Sequence, residues 1–209
     1  MEFFYYLLAY LIGSIPFAVI VSKCWFKVDI REHGSKNPGA TNTLRVLGKK
    51  AGLVVLLGDL LKGSFAAILP VLFHSNADPL YVGFLAVVGH CFPIWSRFRG
   101  GKAIATTAGV LLFTNPLLFL VAYTSFILII AISKYVFFGS LSVGLSLLMT
   151  SLLTGDNIVL FSLFFLFLIF LHRSNIQNFL SGKEPKIDDP SIRQEKRIIR
   201  GDSKETKNV

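Results

Sequence analysis

Seven apolar runs order this chain, at about 3–22, 53–73, 80–95, 103–114, 116–132, 137–153 and 157–172. They are separated by short polar or Gly/Pro-bearing breaks, and none shows the strict two-residue alternation of a half-buried strand. Long continuous apolar stretches predict helices that are hydrophobic all round, as in a lipid-embedded bundle. A full crossing takes about 20 residues at about 1.5 Å each. The 80–95 and 103–114 runs fall short of that, so they tilt, extend through their flanks or re-enter, and one span over 103–132 is the rival reading. Gly13-Ser14-Ile15-Pro16 interrupts the first run and predicts tight packing with a mild kink. That run has no basic start and no small-x-small cleavage site, so it reads as a span and not as a cleaved leader. We read no internal repeat.

Composition makes this stronger. The 209 residues are 53% hydrophobic without counting glycine, 16% charged, and include 20 Phe. Soluble domains average about 45–50% apolar with glycine counted and about 25% charged. One soluble core of this size does not hide the excess, and the composition is the opposite of a disordered chain. The predicted class is therefore all-α, a polytopic integral membrane protein with about seven transmembrane helices.

A formal charge of +9 suggests a polyanion binder until its placement is examined. Residues 23–50 carry seven bases against Asp29 and Glu32. Arg97, Arg99 and Lys102 form a second cluster, Lys134 stands alone, and nine bases against six acids follow the last apolar run. With seven crossings every one of these groups falls on one side, and the other side receives only Glu2, Asp78 and Asp156. The positive-inside rule makes the cationic side cytoplasmic, with the N-terminus outside and the C-terminus inside. That placement excludes a nucleic-acid module. The organisation expected is a membrane-embedded catalytic domain over 1–184 and a polar, flexible cytoplasmic tail over 185–209, whose surface role is contact with anionic headgroups. Cys24 and Cys91 lie near the reducing face, which argues against a disulfide, and no Cys/His set has zinc spacing.

Polar chemistry gathers at the same face in three segments. The first runs from His33 through Gly34, Ser35, Lys36, Asn37, Pro38, Gly39, Ala40, Thr41, Asn42 and Thr43 to Arg45. Glycines let backbone approach a ligand, hydroxyls and amides supply hydrogen bonds, and Arg suits phosphate bidentately. A capped turn explains the same residues taken alone. The second runs from Gly89, His90, Cys91, Phe92 and Pro93 to Arg99, Gly100, Gly101, Lys102, Ala103 and Thr106. It lacks phosphate-loop spacing, although a helix N-terminus beside Lys102 suits a phosphate, as does a plain cytoplasmic anchor. In the third, His172 and Asn175 share a helix face, as solvated helix-end residues also do. Asp59 and Lys62, three apart inside an apolar run, predict an intramembrane pair, serving either function or helix locking.

Together these segments resemble the bacterial acyl-phosphate:glycerol-3-phosphate acyltransferases, small membrane enzymes of phospholipid synthesis. Their first motif is similar to Gly34, Ser35, Asn37, Gly39, Ala40, Thr41, Asn42 and Arg45. Their second is similar to Gly89, His90, Pro93, Gly100, Gly101, Lys102, Ala105 and Thr106. Asp59, Lys62 and Gly63 match an Asp-x-x-Lys-Gly element, and His172, Asn175, Ile176, Gly182 and Glu184 match the third motif. The resemblance covers about residues 5–184. Ala103 stands where the family usually has Gly, and Leu171 and Asn178 where it usually has Arg.

The resemblance implies acyl transfer from acyl phosphate to sn-glycerol 3-phosphate at the bacterial inner membrane, without cofactor or metal. It implies membrane lipid as surroundings, a monomer, and a functional link to the enzyme that supplies acyl phosphate. On it we assign catalytic roles to Ser35, His172, Asn175 and Lys102. Binding roles go to Gly34, Asn37, Gly39, Thr41, Asn42, Arg45, Lys62, His90, Gly100, Gly101 and Thr106. Glycerol 3-phosphate is placed on Ser35, Arg45, Lys102, His172 and Asn175. The acyl-phosphate headgroup is placed on Asn37, Gly39, Thr41 and Asn42 with Gly100 and Gly101. His172, His90 or the substrate's own phosphate is the base, and an acyl-enzyme on Ser35 is the less simple route. A transporter or channel for a phosphorylated solute, and a scaffold for lipid-synthesis enzymes, are the readings of other classes.

Overall fold

A computed structural model describes residues 2–187 and 189. All regular structure among them is helical: α1 Glu2–Gly13, α2 Phe17–Phe26, α3 Ala40–Leu47, α4 Lys49–Leu72, α5 Pro79–Cys91, α6 Ile104–Thr114, α7 Pro116–Ser133, α8 Val136–Thr154, α9 Ile158–Leu171 and α10 Arg173–Leu180. Each of the seven apolar runs is helical. Five stretches are long and apolar enough to cross a bilayer: Glu2–Phe26, Lys49–Leu72, Pro79–Ser96, Pro116–Ser133 and Val136–Thr154. The pair Ile158–Leu171 and Arg173–Leu180, bent by 52°, makes six if counted as one span. Helix α6 is apolar but has only 11 residues, about 16 Å at 1.5 Å each, which is short of the hydrocarbon thickness.

The described residues divide into two compact units, 2–113 with 189, and 114–187. In the first, the expected kink is a full break. Pro16 cannot donate a backbone bond, and α1 and α2 are separate helices around Ser14–Pro16. Helix α1 lies against α5 through small residues: a Cβ on Gly13 would run into the Ala86 backbone, and one on Gly89 into the Tyr10 carbonyl. Tyr10 also donates to the Phe92 carbonyl at 2.9 Å. Helix α6 meets α4 in the same manner, with Gly109 on the Leu60 carbonyl and Ser64 donating to the Gly109 carbonyl at 2.7 Å. Lipid gives no hydrophobic drive between helices, so close backbone approach and such bonds hold them. Helix α4 begins four residues before the predicted run, directly after Gly48, whose φ of +98° turns the chain out of α3.

In the second unit α7 packs along α8. Ser125 donates to the Ala122 carbonyl at 2.7 Å and lies 3.3 Å from the hydroxyls of both Ser142 and Ser146, a polar seam between the two helices. Much of the rest of α7 is exposed Leu, Ile and Val, with only Ala122 fully buried. Asn115 caps α7 by accepting from the Leu118 N–H at 3.0 Å, and Pro116 opens it. Helix α6 ends at Thr114, so 103–132 is two helices and the single-span rival fails. Tyr135, Phe137, Phe138 and Phe179 form an aromatic cluster joining α8 to α10. Most of the tail expected over 185–209 lies outside the described residues.

Candidate functional site

The first motif is loop only as far as Gly39. From Ala40 it is the amphipathic helix α3. Asn42 organises the loop from inside. It is 1% exposed; its Oδ1 accepts from the Ser35 N–H at 3.0 Å, and its Nδ2 donates to the carbonyls of His33 at 3.0 Å and Ile30 at 3.4 Å. Gly34 has φ +58°, and a Cβ there would strike that same Oδ1. The assignment of Asn42 to a substrate headgroup therefore acquires a competing demand, because both ends of its amide serve the loop's own backbone. Gly34, Ser35 and Thr41 are exposed, while Asn37 and Arg45 are half-buried.

Two residues not singled out from the sequence brace this loop. Arg31 grips Asp29 bidentately, Nε to Oδ1 at 2.9 Å and Nη2 to Oδ2 at 2.6 Å, and donates through Nη1 to the Ser96 carbonyl at 3.2 Å. The guanidinium holds the Asp29 carboxyl well below the usual carboxylate range, and Asp29 in turn raises Arg31. Arg99 lies 3.5 Å from Glu32. The first polar segment is thus tied twice to the loop carrying the second. The Asp29-x-Arg31 spacing was the available signal.

The predicted Asp59–Lys62 pair is present, and it has gained a third member. Lys62 Nζ lies 2.7 Å from Asp59 Oδ1 and donates to the Ile15 carbonyl at 2.8 Å, in the break between α1 and α2. His90 Nδ1, in the last turn of α5, lies 3.4 Å from the same carboxylate oxygen. A carboxylate only accepts, so the ring proton belongs on Nδ1. All three side chains are at most 6% exposed. Isolated buried charges are costly, and a compensated cluster is the form in which they persist.

The Gly100–Gly101 turn closes on this cluster. Gly101 N–H donates to the His90 carbonyl at 3.1 Å. A Cβ on Gly101 would meet His90 Nε2, and one on Gly100 would meet the His90 and Cys91 carbonyls. Close approach to His90 is therefore what requires glycine here, and the Gly101 amide, expected to face phosphate, is committed to His90. Ala103, at φ +74° and fully buried, occupies a left-handed conformation that a glycine adopts without strain. Thr106 and Thr107 follow in α6; their buried hydroxyls have no hydrogen-bond partner among the described residues. Lys102 is half-buried.

Pro38 of the first motif, Arg99, Gly100 and Gly101 of the second, and Asp59, Lys62 and His90 all line one recess, together with Ile15, Pro16 and Phe17. The recess thus joins three sequence elements whose matched residues run from Gly34 to Thr106.

The model of a family described as glycerol-3-phosphate acyltransferase matches residues 3–182. The chain belongs to the glycerol-3-phosphate acyltransferase family. It is 48% identical over 190 residues to the glycerol-3-phosphate acyltransferase of Geobacillus kaustophilus, covering 90% of this chain and 96% of that one. The Bacillus subtilis protein of the same name is 46% identical over 183 residues, covering 87% and 95%. The fold of this chain is similar to the crystal structure of PlsY (YgiH), an integral membrane glycerol 3-phosphate acyltransferase. The TM-score is 0.81 against the glycerol 3-phosphate form, at 32% identity over 88% of this chain and 94% of that one. Against the lysophosphatidic acid form it is 0.78, at 31% identity.

His172 and Asn175 belong to the second unit. His172 is buried, and its Nδ1 lies 2.9 Å from the Leu168 carbonyl. That contact puts the ring proton on Nδ1 and makes Nε2 the basic nitrogen of the neutral ring. Asn175 donates to Glu184 Oε1 at 2.6 Å, so two residues of the third motif meet. Beside them Arg173 stacks 4.3 Å from the Phe170 ring, which places one cation next to the Leu171 position.

Proposed function

We propose that this protein transfers a fatty acyl group from acyl phosphate to the 1-hydroxyl of sn-glycerol 3-phosphate, giving 1-acyl-sn-glycerol 3-phosphate and inorganic phosphate. The observation that carries this is a recess lined by Pro38 of the first motif, the Gly100–Gly101 turn and the buried Asp59–Lys62–His90 cluster. In the reaction the hydroxyl oxygen forms a bond to the acyl carbonyl carbon. The carbon–oxygen bond to phosphate breaks, and phosphate leaves with the electron pair. The hydroxyl proton passes to a base, either a histidine Nε2 or the phosphate of the substrate, whose second pKa is near 6. A mixed anhydride is already activated, so positioning and charge stabilisation supply most of the catalysis. Direct transfer needs no covalent step on Ser35.

Glycerol 3-phosphate is assigned to Ser35, Arg45 and Lys102, with His172 and Asn175 added on the strength of the third motif alone. The donor headgroup is assigned to the Gly100–Gly101 turn with Asn37, Gly39 and Thr41. Charge placement favours these motifs at the cytoplasmic face of a bacterial cell membrane, with the N-terminus outside and the C-terminus inside, the bent α9–α10 pair and the short α6 bringing the five long spans to seven. The acyl chain then lies among apolar helices. The donor must come from a reaction that makes an acyl–phosphate anhydride.

Purified protein in detergent, given palmitoyl phosphate and glycerol 3-phosphate, is expected to release lysophosphatidate and phosphate in equal amounts. No product with palmitoyl phosphate, and none with thioester donors, rejects the enzyme. Product from a thioester alone rejects the donor.

A further inference from the structure

Asp59 does not itself form the Gly-rich turn, yet the geometry gives it a route there. Its Oδ1 faces His90 Nδ1 at 3.4 Å on one side and Lys62 Nζ at 2.7 Å on the other. Lys62 is anchored in turn on the Ile15 carbonyl at 2.8 Å. The carboxylate thus has a fixed position, set by a backbone atom on a different helix pair. From it the imidazole projects its opposite edge, Nε2, at Gly101, close enough that one methyl group on Gly101 would collide with it. The same histidine's carbonyl accepts the Gly101 N–H at 3.1 Å. Backbone and ring of His90 together form the floor on which the Gly100–Gly101 turn rests. A ring turned about its side-chain torsions would either push the turn outward or leave a gap beneath it.

We propose that Asp59 is a positioning residue for the donor phosphate: by holding His90 at Nδ1, it sets where the Gly100–Gly101 turn lies. This rests on the assignment of the donor headgroup to that turn. A buried charge cluster that only locks α4 to α5 would affect both substrates through loss of fold. A positioning role acts on one substrate and acts through one histidine.

Wild type, Asp59→Asn, His90→Ala and the double variant are compared in detergent, with palmitoyl phosphate and glycerol 3-phosphate varied in turn. Asp59→Asn, isosteric with the original, is expected to raise KM for palmitoyl phosphate about tenfold, while KM for glycerol 3-phosphate and kcat stay within about threefold. In the His90→Ala background the same substitution adds nothing further, because its route is gone. Multiplying effects in the double variant, an equal rise in both KM values, or an unchanged KM overturns the proposal. Should Asp59→Asn fail to fold, Gly101→Ala decides. Its KM for palmitoyl phosphate improves when His90→Ala makes room for the added methyl, and no improvement overturns the proposal. Should the wild type form no product, the functional reading falls by itself, and melting temperature with inorganic phosphate becomes the test. Protection of wild type but not of Asp59→Asn supports the positioning role; equal protection, or none, overturns it.

Discussion

Replacing Asn42 by alanine removes three contacts that shape the first motif: the bond received from Ser35 N–H and the two given to the His33 and Ile30 carbonyls. The two at 3.0 Å are good geometry, each contributing about 1 kcal/mol net, and the third, at 3.4 Å, contributes less. Adding the desolvated groups left behind, the loss is about 2–4 kcal/mol. For a chain of this size about 1 kcal/mol moves Tm by 2–4 °C, so the expected drop is about 4–16 °C. Cys91 supplies the assay, since it is buried while Cys24 is exposed. In a Cys24→Ser background a thiol-reactive fluorogenic dye reports unfolding through Cys91 alone. Asn42→Asp is the decisive companion. It keeps the acceptor for Ser35 but turns a second oxygen on two carbonyls, so it is expected to melt below Asn42→Ala. An alanine variant within 2 °C of wild type, or an aspartate variant more stable than it, refutes the view that Asn42 holds the loop.

Three further outcomes are expected. Arg31 holds Asp29 low, so the pair's contribution to stability is complete above the ordinary carboxylate range and declines as pH falls below it; melting scans should show an acid-side loss that Asp29→Asn flattens, and parallel curves contradict this. Arg45→Ala should raise KM for glycerol 3-phosphate by about tenfold or more, a larger effect than its loss of Tm, and wild-type kinetics there remove the phosphate role. Cys24 is exposed at the end of the first span, Glu2–Phe26, so a membrane-impermeant maleimide should label it in inverted vesicles and not in intact cells; labelling of intact cells reverses the proposed topology.

Much of the site was legible because its signals are local. Asp59 and Lys62 are one helical turn apart, so their pairing follows from 3.6 residues per turn. The Gly13–Pro16 break follows from proline chemistry, although its extent, two helices and not one bent one, did not. Other residues carry a second demand that only the packed structure shows. Amides and glycines suit phosphate, and at Asn42 and Gly101 the same properties also serve a tight loop and a close ring contact. Arg31 stood among seven bases, with a local signal in the Asp29 spacing but none for its distant partner, the Ser96 carbonyl.

The sequence by itself determined an apolar helical protein and where its long apolar helices run. Those properties depend on the solvent preference of each segment taken alone. Only the tertiary structure decided that His90 joins Asp59 and Lys62, that Lys62 reaches back to Ile15, and that Gly101 is a glycine because of an imidazole. These contacts bridge residues up to 47 positions apart, and a side chain's partner over such distances is set by how helices pack, which no single segment encodes.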